Sequence, residues 1–290
     1  MRIENHVITS LSSGGAQKVL LHLIKNRAQK GRNKICIYFI KDGVYRTTFE
    51  QIQGVKLVQL GLKNVASSFL FNKKLRANAL VVSWLYHADI LCLLFKLINP
   101  RSYWISNVRN GDLGRGSSIS SKFAFFILKK LITFFVDDII YCGSSIKKYH
   151  VSQGYPQKLG TVIHNGLPDE KMLLFKDVAS VPTKLGYLGR FSSQKGIPHL
   201  LKVFKCLLGE NPDLRLIMAG NGISAENNEL TQILDTLCLW NNIELLGELS
   251  DVSLFFNQID ILLSSSVYGE GFPNVIAEAV VNWVPVISTS

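Results

Sequence analysis

Short runs rich in β-branched and aromatic residues alternate with helix-patterned stretches along the whole chain, and that alternation leaves few folds open. A parallel pair of strands needs a long crossover, usually a helix, so the pattern reads as stacked βαβ units. Strand-like runs fall at 6–9, 35–40, 55–60, 80–84, 103–106, 138–142 and 161–164, then at 184–188, 214–218, 243–246, 261–264 and 284–288. The clearest early helix is 16–29, where Val19, Leu20, Leu23 and Ile24 share a face and Gly31 supplies a stop. Later helices are expected at 197–208, 225–239, 252–258 and 274–282. The stretch 167–183 lacks periodicity, carries Pro168 and Pro182, and reads as a linker. The expected architecture is α/β, with one doubly wound unit at 1–166 and a second at 184–290.

Charge reverses at the same place. Residues 1–166 hold 24 Lys+Arg against 7 Asp+Glu, a net of +17, and residues 167–290 hold 8 against 14, a net of −6. A basic half of that size implies a polyanionic partner, either nucleic acid or an anionic membrane face. No stacked-aromatic or helix-turn-helix signature supports nucleic acid. The segment 119–135 combines Phe123, Phe125, Phe126, Phe134 and Phe135 with Lys122, Lys129 and Lys130. It reads equally as a packed core helix or as an interfacial helix on anionic lipid, and the Gly-rich loop 111–116 before it suits a mobile membrane-facing segment. No apolar run approaches the ~18 residues of a membrane span, and the first residues lack a signal-peptide core. Five cysteines, odd in number and without a Cys-x-x-Cys pair, exclude a zinc site of the usual spacing and suggest reduced, buried thiols in the cytoplasm. The expected location on that ground is cytoplasmic.

Most of the chemistry is concentrated in Tyr268-Gly269-Glu270-Gly271-Phe272-Pro273-Asn274-Val275-Ile276-Ala277-Glu278. Pro273 suits a first helical position, which leaves the amides of Asn274 to Ile276 as open donors at the positive end of a helix. Such an end binds anions. Glu270 in the Gly-rich turn and Glu278 inside the helix would accept hydroxyls on either side, the arrangement a nucleotide-sugar needs. Solvated surface glutamates are the plainer alternative, and the crowding of Gly269, Gly271 and Pro273 around Glu270 weighs against it. Arg190 and Lys195 flank the polar loop Phe191-Ser192-Ser193-Gln194 after a strand, where a guanidinium fork and a point charge would neutralise a leaving diphosphate without a metal. Gly220-Asn221-Gly222-Ile223-Ser224-Ala225 fits a dinucleotide fingerprint, but at the second βα turn of its unit rather than the first. His87 and Arg109 follow the fourth and fifth strands, where open α/β sheets hold ligands. Asp-x-Asp and Gly-x-Ser-x-Gly motifs are both missing from the sequence, which argues against a metal-dependent GT-A enzyme and a serine hydrolase.

These segments resemble a retaining glycosyltransferase of family 4. The resemblance is carried by the Glu270 to Glu278 element and by Gly189-Arg190-Phe191-Ser192-Ser193-Gln194-Lys195-Gly196. It is softer in Ser13-Gly14-Gly15-Ala16-Gln17, Ser83-Trp84-Leu85-Tyr86-His87-Ala88-Asp89, Asn107-Val108-Arg109-Asn110 and His164-Asn165-Gly166. It implies the GT-B fold, two Rossmann-like domains facing a cleft, with the second incomplete at its C-terminal end. It implies Arg190, Lys195 and Glu270 as catalytic residues, and Gly14, Gly15, Gly189, Gly222, Phe272, Pro273, Asn274, Val275 and Glu278 on the donor. His87, Arg109 and Asn110 fall on the acceptor side; family members often carry a histidine after strand five, where this chain has Asn107-Val108-Arg109-Asn110. The implied donor is a nucleotide-diphospho-sugar, and the implied acceptor is a lipid-linked saccharide or oligosaccharide of cell-surface polysaccharide or lipopolysaccharide synthesis. The resemblance thereby implies a peripheral location on the cytoplasmic face of the inner membrane. No cofactor and no metal are expected. An inactive truncated remnant that still binds nucleotide or membrane is the alternative.

Overall fold

The computed structural model describes residues 3–31, 34–61, 79–111, 113, 118–166, 183–249, 251–268, 270 and 272–289. The chain forms two compact units, Met1–Pro168 and Asp169–Ser290. Nearly all of the expected linker, with Gly269, Gly271 and most of the 111–116 loop, lies outside the described residues.

The first unit is built on seven strands: β1 (Glu4–Ile8), β2 (Ile35–Phe39), β3 (Val55–Gln59), β4 (Leu80–Trp84), β5 (Tyr103–Val108), β6 (Asp138–Tyr141) and β7 (Gly160–Val162). They lie in the order β3-β2-β1-β4-β5-β6-β7, and every pairing is parallel. Strand β2 is buried at all five positions, which is why Ile-Cys-Ile-Tyr-Phe reads as an unbroken apolar run rather than an alternation. The described helices are α1 (Gly15–Gln29), α2 (Arg46–Glu50), α3 (Tyr86–Ile98), α4 (Ile119–Phe135) and α5 (Ser144–Ser152). Helix α4 starts at Ser118, whose hydroxyl accepts from the Ser121 amide at 3.2 Å.

The second unit repeats the winding with β8 (Lys184–Leu188), β9 (Arg215–Ala219), β10 (Ile243–Leu245), β11 (Ile261–Ser264) and β12 (Val286–Ser288), ordered β10-β9-β8-β11-β12 and parallel throughout. Its helices are α6 (Ile197–Glu210), α7 (Asn228–Leu237), α8 (Ser253–Gln258) and α9 (Asn274–Val281). Strand β9 shows how one strand serves two layers. Leu216 and Met218 join Leu201, Phe204, Leu230 and Leu234 on one face, while Ile217 and Ala219 join Phe255, Phe256 and Ile259 on the other. Helix α7 begins at Asn228, later than the periodicity suggests. The Asn227 side-chain oxygen accepts from the Glu229 and Leu230 amides at 3.2 and 3.3 Å, which fixes the helix start there.

Two expectations need correction. Cys36, Cys92 and Cys142 are buried, but Cys206 and Cys238 are exposed, one on the outer side of α6 and the other at the end of α7. Pro273 is the N-cap of α9 rather than its first helical residue, with φ −72° and ψ 103°. Among the described residues, no helix is long and apolar enough to cross a membrane.

Candidate functional site

In each sheet the strand order turns about a central strand. The turn lies between β1 and β4 in the first unit and between β8 and β11 in the second. Chain connections leave in opposite directions there, which opens a crevice at the carboxyl ends of the strands, where open α/β sheets hold ligands.

The crevice of the second unit is formed by two loops tied to each other. After β8 the chain passes Gly189 and Arg190 and makes the single tight turn Ser193–Lys195; after β11 it runs through Ser265 and Ser266 towards Glu270. The Val267 amide donates to the Gln194 carbonyl at 2.9 Å, and the Ser265 hydroxyl donates to the Lys195 carbonyl at 2.7 Å. The Ser193 and Tyr268 hydroxyls lie 3.0 Å apart. Gly196 has φ +63°, and a Cβ there would meet the Ser265 carbonyl oxygen at 2.2 Å, so both conformation and space demand glycine.

This tie brings Lys195 and Glu270 together. The Lys195 ammonium donates to Glu270 Oε1 in a half-buried ion pair, and the Ser266 hydroxyl donates to the same oxygen at 2.9 Å. Arg190 stands exposed beside them, its guanidinium donating to Gln194 Oε1 at 3.2 Å. Beneath them Gly189 leaves room for its neighbours: a Cβ there would meet the Tyr187 hydroxyl at 2.9 Å and Lys195 Cε at 3.6 Å. The Tyr187 hydroxyl is buried without a hydrogen-bond partner. Burial, and secondarily the Glu270 carboxylate, push its pKa upward, so the phenol stays protonated.

Phe272, Pro273, Asn274 and Val275 follow as half-buried residues leading into α9, and Glu278 is half-buried one turn further on. The helix end offers fewer donors than its sequence suggests, because the Ile276 amide donates to the Pro273 carbonyl at 3.0 Å. The glycine pair of the dinucleotide-like fingerprint has a packing explanation. Gly220 adopts φ +135°, and a Cβ there would strike the Gly189 carbonyl oxygen at 2.2 Å; Gly222 adopts φ +75° over Phe191. The Phe191 amide donates to the Asn221 carbonyl at 2.8 Å, which fastens this turn to the Arg190 loop. The pair lets two neighbouring strand ends close on each other.

The first unit places its predicted residues differently. Gly14 is the N-cap of α1 in an extended conformation, with Gly15 the first helical residue, and the Gln17 side chain donates from there to the Ser10 carbonyl at 3.2 Å. His87 lies in the first turn of α3, half-buried, and burial lowers its pKa so that it stays neutral. Arg109 follows β5. Its Nε donates to Asn107 Oδ1 at 2.7 Å, another guanidinium nitrogen donates to Asn165 Oδ1, and its carbon lies 5.0 Å from the centre of the Trp84 ring. Two side-chain amides and a cation–π contact hold this largely buried cation, and among the described residues no carboxylate is paired with it. Asn110 follows, half-buried. Ser266, Ser265 and Tyr187 were not singled out by sequence; the Ser264-Ser265-Ser266 run that closes β11 was the available signal for the two serines.

Comparison with known proteins adds a domain assignment and a fold. Residues 175–290 match the family described as glycosyl transferases group 1. A capsular polysaccharide biosynthesis glycosyltransferase, CapM of Staphylococcus aureus, is 27% identical over 183 residues, 58% of this chain and 47% of that protein. An uncharacterized glycosyltransferase of Methanocaldococcus jannaschii is 35% identical over 102 residues, 35% of this chain and 24% of that protein. The chain thus spans about half or less of the curated relatives it matches. Among solved structures, HepE of Anabaena in complex with UDP and glucose superposes with a TM-score of 0.82 at 19% identity, covering 99% of this chain and 80% of that one. The lipopolysaccharide outer core galactosyltransferase WaaB superposes with a TM-score of 0.71 at 16% identity, with the same coverage. The fold is that of the GT-B glycosyltransferases, two Rossmann-like domains in one chain, and the second of them carries the group 1 glycosyltransferase match.

Proposed function

We propose that this protein transfers a glycosyl group from a nucleoside-diphosphate sugar to a hydroxyl, with retention of anomeric configuration. The observation that carries the reading is the Lys195–Glu270–Ser266 cluster beside Arg190 at the β8/β11 switch point. A diphosphate leaving group needs cations where its charge grows, and Lys195 and Arg190 supply two without a metal. Glu270 suits sugar hydroxyls, since its oxygen already accepts one hydroxyl from Ser266. Glu278, on α9, is assigned to the ribose. In the reaction the bond from the anomeric carbon to the diphosphate oxygen breaks and the bond to the acceptor oxygen forms. The acceptor's proton passes to the departing phosphate. His87, Arg109 and Asn110 at the carboxyl edge of the first sheet are assigned to the acceptor, with Gly14 and Gly15 beside a phosphate.

For the acceptor we infer a lipid-linked saccharide in capsule or lipopolysaccharide synthesis, reached from the cytoplasmic face of the inner membrane. The names of CapM and WaaB support that class of pathway, and the basic first half supports the surface. The test is turnover of a panel of UDP-, GDP- and ADP-sugars, with the anomeric configuration of the product read by NMR. Transfer or slow hydrolysis of one donor with retention is expected; an inverted product overturns the stereochemical assignment, and no binding of any nucleotide overturns the donor site.

A further inference from the structure

Helix α4 buries Ala124, Phe125, Leu128 and Ile132 against the first unit and turns an apolar face away from it. On that outer face Ile119, Phe123 and Phe134 are 86%, 65% and 78% exposed, with Phe126 also exposed between them. A helix that simply packs into a core exposes its polar residues; α4 exposes its aromatic ones. Its neighbour α3 packs alongside and also exposes apolar side chains, Leu94, Leu97 and Ile98. Exposed apolar side chains concentrated on two packed helices mark an interaction surface.

The charges on the same face identify what covers it. Lys122 and Lys130 are exposed, and Lys129 is partly so. The ammonium groups of Lys129 and Lys130 lie 5.2 and 4.8 Å from the centre of the Phe126 ring. Neither helix carries an exposed acidic residue: α4 has no Asp or Glu, and the single one on α3, Asp89, is fully buried. A nucleic acid would match the lysines and stack on a ring, but it does not match the exposed aliphatic Ile119, Leu94, Leu97 and Ile98. An anionic bilayer matches both, with rings at headgroup depth and ammonium groups at the phosphates.

We propose that the α3–α4 face is a docking surface for an anionic membrane, with Phe123, Phe126 and Ile119 entering the interface and Lys122, Lys129 and Lys130 engaging lipid phosphates. Helix α4 is the element that follows β5, whose carboxyl end leads into Arg109 and Asn110. The inference sharpens the membrane location proposed above, but docking is measured with no sugar donor and no acceptor present.

The experiment is co-sedimentation of the full chain with phosphatidylcholine vesicles and with vesicles that also contain phosphatidylglycerol, at low and high salt. Pelleting is expected on the anionic vesicles at low salt, falling steeply with salt. Substituting Lys122, Lys129 and Lys130 together by Gln should lower partitioning on the order of a hundredfold, since each contributes about fivefold. Phe123→Gln with Phe126→Gln should also lower it, whereas Lys202→Gln with Lys205→Gln, exposed on the second unit, should not. All these side chains are surface residues, and circular dichroism checks the fold of each variant. Absent pelleting, equal pelleting on both vesicle types, or insensitivity to the phenylalanine pair overturns the proposal. Concentration-dependent self-association that the phenylalanine pair abolishes, without vesicle binding, assigns the face to a second copy instead. Sugar transfer without docking overturns this inference alone, and docking without transfer overturns only the enzymatic reading.

Discussion

The two units share one winding order but use their switch points in opposite ways. In the second, acidic overall, the crevice holds a cation and a carboxylate in contact: Lys195 on Glu270. In the first, strongly basic overall, a cation at the crevice rests on neutral partners, Arg109 on Asn107, Asn165 and the Trp84 ring. One of its carboxylates, Asp89, is fully buried on α3, where Oδ1 accepts from Ser83 at 2.5 Å and Ser106 at 2.9 Å. The same topology therefore yields one crevice with charges available to a ligand and one unit that commits a carboxylate to the interior. The fold supplies the location; the residues at the strand ends decide its chemistry.

The sharpest way to separate the units is pH. Burial raises the Asp89 carboxyl to about 7, so folding favours its protonated form. That stabilisation is whole below about pH 4 and is lost as pH rises through about 7. His150 has the opposite sense. It is fully buried among aromatic rings, accepts from the Tyr86 hydroxyl at 2.7 Å and donates from Nδ1 to the Ile146 carbonyl at 2.8 Å, and burial depresses its pKa to about 4. Its stabilisation is whole above about pH 6.5 and is lost as pH falls through about 4. The two amount to about 4 and about 3 kcal/mol and offset each other over the shared window. Asp89→Asn should leave a first unit that weakens toward acid, and His150→Gln one that weakens toward neutral pH. Denaturant titration from pH 4 to 7 reads both slopes; parallel curves for the two variants would break the opposition of Asp89 and His150 that sets the first unit apart.

The next effect belongs to the second unit. Glu270→Gln should reduce transfer on the order of 100- to 1000-fold, or about 3–4 kcal/mol, as loss of a group poised for the transition state does. It also frees the Lys195 ammonium from its carboxylate, so diphosphate affinity should hold or rise. Steady-state rates measured beside binding constants check the pair, and parallel loss of both would remove Glu270 from the sugar. Arg190→Ala should cost about 1 kcal/mol or less of nucleotide affinity, because the guanidinium is exposed and screened. An effect larger than that of Lys195→Ala in the same titration would reverse their roles.

The sheets were legible because period-two and period-3.6 patterns are local. Arg190 and Lys195 stood out as candidates by their place after a strand, and Glu270 by its Gly-rich turn. Helix α3 was hidden: it opens directly after Leu85, which holds φ +71°, a conformation that its sequence does not advertise. The Lys195–Glu270 contact was equally hidden, since it joins residues 75 apart and depends on Gly196 admitting the Ser265 carbonyl. Helix α4 was readable as apolar and basic, but not as to which face is buried, because phenylalanines fall on both. Composition names the ingredients of such a helix; only packing sorts inside from outside.

The central claim is that the β8/β11 crevice binds a nucleoside diphosphate through Lys195, and calorimetric titration of UDP, GDP and ADP into the wild-type chain, Lys195→Ala, Glu270→Gln and Glu278→Gln tests it most directly. The account predicts one preferred nucleotide. It predicts a loss of about 1.5–3 kcal/mol for Lys195→Ala, a smaller loss for Glu278→Gln through the ribose, and no loss for Glu270→Gln. Unchanged affinity for the preferred nucleotide in Lys195→Ala would contradict it.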